Sequence, residues 1–147
     1  MAKGPKRSPI LGVGAVVRRA DAVLLVKRGR APNQGEWAIP GGRVEWGETL
    51  VAAAERELME ETGVTIRATD PVYTFEHIEP TEGGTPDVHY VVIDLYGEYV
   101  AGEPCAASDA EDAAWVKLSE LGRVPVNRTT RNCLATLYPM EVPPPSR

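Results

Sequence analysis

GGRVEWGETLVAAAERELMEETGV, residues 41–64, is the stretch whose reading decides the fold. From Thr49 to Thr62 it holds no Gly or Pro and much Ala, Leu and Glu, all good helix formers apart from the capping residues. Thr49 can cap the start and Gly63 stands where a helix stops, so the spacing predicts a helix from Thr49 to Thr62. Turning by about 100° per residue, Glu57, Glu60 and Glu61 share roughly 100° of arc. Leu50, Val51, Ala54 and Leu58 occupy a neighbouring arc, which supplies an apolar stripe for a sheet.

Acids spaced i,i+3 and i,i+4 repel by roughly 0.2–0.5 kcal/mol per exposed pair. A cation between them removes that repulsion. Hard divalent cations take oxygen ligands, and magnesium is usually held by a few carboxylates, waters and substrate phosphates together. Just before the helix, Pro40-Gly41-Gly42 and Trp46-Gly47-Glu48 form a loop whose small residues let backbone groups approach a ligand. A Glu-rich helix face is also a common solvated surface, so the acids taken alone do not decide between the two.

Working outward, Leu11–Arg18 and Val23–Arg28 are Val-rich runs about a short polar stretch and read as a hairpin. Asn33-Gln34-Gly35 signals a turn before the short segment Glu36–Pro40. Val72–Ile78 and Val88–Tyr96 read as strands, joined by a loop, Glu79–Asp87, that contains two prolines and two glycines. Ala113–Leu118 is a further apolar run. Asn127 can cap a final helix to about Tyr138, with Cys133, Leu134 and Leu137 inward. The order of elements points to an α/β fold, a mixed sheet with helices packed on it.

The 147 residues fit one domain, expected to be ordered from about 8 to 138 with a flexible tail over 139–147. With 43% hydrophobic and 25% charged residues the composition is that of a globular protein. No apolar run reaches the ~20 residues of a membrane span and no secretory segment is evident, so the expected location is cytoplasmic. A net charge of -5 argues against a surface for long nucleic acids. Cys105 and Cys133 read as free thiols.

Gly42, Glu48 and the run Arg56-Glu57-Leu58-Met59-Glu60-Glu61-Thr62-Gly63-Val64 resemble, at their spacing and without a departure, the signature box of the Nudix hydrolases. The run Trp37-Ala38-Ile39-Pro40-Gly41-Gly42 is similar to family members as well. The resemblance implies a Nudix-type α/β/α sandwich with a mixed β-sheet, and hydrolysis of a nucleoside diphosphate linked to another moiety. Around His89-Tyr90-Val91-Val92-Ile93-Asp94 the chain is similar to small bacterial ADP-ribose pyrophosphatases, which makes ADP-ribose, cut to AMP and ribose 5-phosphate, the leading substrate. Pyrophosphohydrolysis of a (deoxy)nucleoside triphosphate is the alternative. A sensing module that binds nucleotides without cutting is a third reading, disfavoured by intact box acids.

The same resemblance assigns Glu57, Glu60 and Glu61 as ligands of magnesium, with manganese able to substitute, and the Gly42 carbonyl as a further ligand. It gives Arg56 a structural role, pairing with box acids, and leaves Glu48 to orient Arg56 or position water. A fourth carboxylate is sought in Ser108–Asp112, Asp109 before Glu111, against the alternative of a solvated acidic turn. The general base is open among Glu57, which is favoured, Glu48 and a loop residue such as Glu82, with His77 and His89 behind them. Trp37 could stack on a base or pack in the core, and Arg28 and Arg30 could meet phosphates or end a strand in solvent. The partner expected is a small nucleotide, with no membrane, and family members are frequently homodimers.

Overall fold

The computed structural model describes residues 7–30, 33–107 and 109–144. Seven strands and two α-helices follow in the order β1 (Ile10–Arg19), β2 (Ala22–Arg28), β3 (Trp37–Ala38), β4 (Gly41–Arg43), α1 (Leu50–Thr62), β5 (Thr65–Thr81), β6 (Gly84–Ala101), β7 (Ala110–Lys117) and α2 (Arg128–Leu137). The main path of the sheet runs β3-β2-β1-β6-β5, with β4 also on β1 and β7 on β2. β1 and β6 run parallel and the other pairs antiparallel, so the sheet is mixed as expected. No helix among the described residues is long and apolar enough to cross a membrane.

Alternation along β1 builds both halves of the core. Val13, Ala15 and Val17 face α1 and pack with Ala53, Ala54, Leu58 and Leu95. Val16 faces the other way, with Val23, Leu25, Leu121, Cys133 and Leu134 under α2. The side of β1 away from β6 is shared: Gly12–Gly14 pair with β4, and Arg18 and Arg19 with β2. That division lets the chain leave the sheet between the two partners and re-enter as the Pro40-Gly41-Gly42 turn.

The helix from residues 50 to 62 forms for the reasons its sequence offers. Thr49 is extended and its hydroxyl accepts the Ala52 N–H, while Gly63 takes the left-handed conformation, φ 73°, and donates to Met59. Asn127 caps α2 in the same way, accepting from Thr129 and Thr130. The apolar stripe is rotated from the expected one: Ala53, Ala54, Leu58 and Thr62 are buried, whereas Val51 is exposed. Glu57 and Glu61 therefore lie within the inward arc rather than beside it.

Two expectations give way. The segment Glu79–Asp87 is not an open loop, because β5 and β6 stay paired, across register shifts, out to Thr81↔Gly84 about a turn at Glu82 and Gly83. Its prolines are tolerated because β5 is an edge strand, Pro80 sits at a register shift, and Pro86 precedes the point, Tyr90, where β6 first meets β1. The tail also departs from its expected flexibility over residues 139–144. Val142 is buried against Leu121 and Leu134, and Glu141 pairs with Arg18. Residues 145–147 lie outside the described residues.

Candidate active site

The box residues meet where β4 runs beneath α1. Gly42 lies so close to the helix that a Cβ at this position would overlap the Glu57 carboxylate. Its neighbour Gly41 donates its N–H to Glu61 Oε2 at 3.0 Å. The two glycines thus bring backbone against two acids of one helix, and any side chain at 42 would push the first acid away.

Arg56 ties the loop to the helix. Its Nε and Nη2 grip Glu48 Oε2 and Oε1 at 2.7 and 2.9 Å. Nη1 donates to Glu57 Oε1 at 2.8 Å and Glu60 Oε2 at 3.1 Å, and Nη2 also reaches the Arg43 carbonyl at 2.9 Å. The forked bond to Glu48 is the geometry a planar guanidinium supplies and an ammonium does not. The Arg56 hydrogen bond, then the Glu45 N–H, hold the Glu48 carboxyl down at about 2.

Glu61 is driven the opposite way. Burial first, then the negative charges of Glu57 and Asp109, push its carboxyl up to about 7, against the pull of the Gly41 N–H and of Arg28. Glu60 points outward, its side chain 55% exposed. Among the described residues no three His, Cys, Asp or Glu side chains as placed form a group that could hold a metal ion. Arg56 occupies an oxygen of both Glu57 and Glu60. The donor set still suits a hard divalent cation, since it is all oxygen and a cation would offset the mutual repulsion that lifts Glu61.

The remaining candidates divide. Arg28 ends β2 at a register shift, and its charge and that of Asp109 are both felt at Glu61. Asp109 is exposed, 3.0 Å from Arg30, and its carbonyl accepts the Gly29 N–H. Glu111 faces Lys27 at 3.9 Å instead. Ser108 lies outside the described residues.

Trp37 is half-buried on the core beneath α2, and its backbone bonds to Pro125 and Asn127 fix the start of that helix. Glu82 is exposed at the tip of the β5–β6 hairpin, beyond the start of β1, and is not brought to the box. His77 is exposed beside Glu79, and His89 pairs across the hairpin with Ile78. Sequence reasoning gave no site role to Asp94, 2% exposed in β6. Its signal was an acid inside the apolar run Val91–Leu95.

Residues 8–137 match the family model described as NUDIX domain. The chain is 31% identical over 116 residues to an ADP-ribose pyrophosphatase of Methanocaldococcus jannaschii, covering 79% of this chain and 66% of that protein. It is 38% identical over 108 residues to an oxidized purine nucleoside triphosphate hydrolase of Danio rerio, covering 72% and 65%. The matches thus span just under two thirds of these two curated relatives. Among solved structures, a MutT NUDIX hydrolase from Burkholderia pseudomallei superposes with a TM-score of 0.75 at 34% identity, covering 87% of this chain and 97% of that one.

Proposed function

The chain belongs to the NUDIX domain family, and from that premise we propose that it hydrolyses the phosphoanhydride bond of a nucleoside diphosphate derivative, ADP-ribose being cut to AMP and ribose 5-phosphate. The observation that carries this reading is the approach of Glu57 and Glu61 to the Gly41-Gly42 turn, beneath an arginine that ties them to Glu48. Nudix hydrolases generally use divalent metal ions. Magnesium, replaceable by manganese, is the ion proposed, held by Glu57, Glu60, Glu61 and the Gly42 carbonyl, with Asp109 joining from the loop before β7. When bound it neutralises phosphate charge and acidifies a water.

The chain's own residues supply the rest. Arg56 and Glu48 keep loop and helix in register, so that the carboxylates stay aimed at the turn. Glu57 is the proposed base, with one oxygen held by Arg56 and the other directed at the glycine backbone. Arg28, whose charge reaches Glu61, is the residue proposed to meet a phosphate. Glu82, at the far hairpin tip, is set aside as a base.

Incubation with a nucleotide panel, with magnesium and then manganese, tests this reading. AMP and ribose 5-phosphate from ADP-ribose are expected. Efficient release of pyrophosphate from nucleoside triphosphates, with ADP-ribose untouched, would replace it by the triphosphate reading that the Danio rerio relative's name suggests.

A further inference from the structure

Asp94 combines two structural costs at one point beside the site. It lies on the sheet face that carries Val16 and α2, 2% exposed, and burial alone pushes its carboxyl up to about 7. No hydrogen bond or ion pair to that carboxyl is found among the described residues. A buried polar group without a partner is costly, and folds retain few of them.

The second cost is Gly14. It pairs with Asp94 on one side and with Gly41 on the other. A Cβ at 14 would overlap Asp94 Oδ1 while standing 3.1 Å from the Pro40 carbonyl and 3.2 Å from Ile39 Cγ2. The carboxyl therefore leans across β1 toward the turn that leads into Gly41 and Gly42. Glycine inside a strand weakens it and often marks close approach of a ligand or another backbone. Gly12, on the same face, leaves similar room beneath Val92 and beside the Gly42 carbonyl.

Resting on the hydrolase reading above, we propose that Asp94 is a specificity-determining residue that reads the amine-bearing edge of the nucleobase, adenine in the substrate named. Adenine presents an amine donor beside a ring-nitrogen acceptor. A neutral carboxyl presents one O–H donor and one acceptor oxygen in the same plane, and so matches that edge with two bonds. Burial beside Cys133 and the strand pair Tyr73 keeps the carboxyl protonated below about pH 7. An asparagine amide would satisfy the same edge, whereas an apolar residue would not.

The test compares kcat/KM for ADP-ribose with that for the analogue whose purine lacks the 6-amino group, in wild type, Asp94→Asn and Asp94→Val. At about pH 6, where the Asp94 carboxyl is protonated, wild type is expected to favour ADP-ribose by about 10⁴-fold, the scale on which a polar site rejects a ligand lacking its partner group. Asp94→Asn should keep most of that preference, and Asp94→Val should reduce it to about threefold or less. A folded Asp94→Val protein that retains the wild-type ratio overturns the proposal, because a merely structural acid moves the melting temperature and not the ratio. Where Asp94→Val fails to fold, Gly14→Ala displaces the carboxyl from across β1, and a retained ratio there has the same force. Turnover of neither substrate by wild type removes the hydrolase reading and this role with it, whereas turnover of both without preference removes only the role of Asp94.

Discussion

Arg56 and Glu48 meet through two parallel bonds, Nε to Oε2 at 2.7 Å and Nη2 to Oε1 at 2.9 Å, eight residues apart across the loop-to-helix junction. The remaining guanidinium nitrogen holds Glu57 and Glu60. A lysine ammonium can keep the charge but not the fork. Arg56→Lys is therefore expected to lower kcat/KM by about a hundredfold, the scale of loss when catalytic groups shift by ~1 Å. Steady-state kinetics alongside a melting curve checks this, and unchanged kinetics would refute the positioning role of Arg56.

Gly42→Ala tests the closest approach in the site. Its Cβ cannot coexist with the Glu57 carboxylate where it now stands. The side chain of Glu57 should swing away while the sheet pairing of Gly42 with Val13 survives. A folded protein with turnover reduced at least tenfold is the expected outcome, and a near-normal rate would show that Glu57 need not face this turn.

Glu61 makes stability and activity oppose one another. Its folded value of about 7 exceeds the ordinary 4.5, so between these values the native state binds more proton than the unfolded chain. Metal-free stability should then fall as pH rises from 4.5 to 7, with the full penalty present above 7. Glu61→Gln removes a cost of at most about 3–4 kcal/mol. The variant is expected to melt higher than wild type at pH 8 without metal while losing turnover by orders of magnitude. Asp94 shifts in the same direction, so the pH slope in Glu61→Gln is reduced rather than abolished. A Glu61→Gln protein less stable than wild type at pH 8 would contradict the burial penalty.

Deleting the chain after Pro139 probes the docked end. Val142 is 9% exposed against the α2 core, and its burial contributes about 1.5–3 kcal/mol. The Arg18–Glu141 pair is partly exposed and adds little. The truncated protein should melt several degrees lower, at roughly 2–4 °C per kcal/mol. An unchanged melting temperature would show that Val142 contributes nothing to the core.

The helix of the box and the hairpin of β1 and β2 were legible because their signals are local. Thr49 and Gly63 sit within bonding reach of the turns they cap, and residue spacing alone put three glutamates on one side of α1. The inward rotation of Glu57 and Glu61 was not legible, since hydropathy favours Val51 over Ala53 for burial whereas the sheet covers Ala53 and leaves Val51 exposed. Trp37 offered two roles and only its neighbours, Pro125 and Asn127, could choose between them.

From the sequence by itself came the α/β class, the helix with its acids, and a box whose resemblance to the Nudix signature implies phosphoanhydride chemistry, all carried by residues within a few turns of one another. Tertiary structure alone decided that β5 and β6 pair through their prolines, that Val142 returns to the core, and that Asp94 lies unpaired beneath the Ile39–Pro40 turn. Each of those outcomes depends on a partner far away in the chain. The free energy of such a contact resides in burial and pairing with that partner, which no local pattern records.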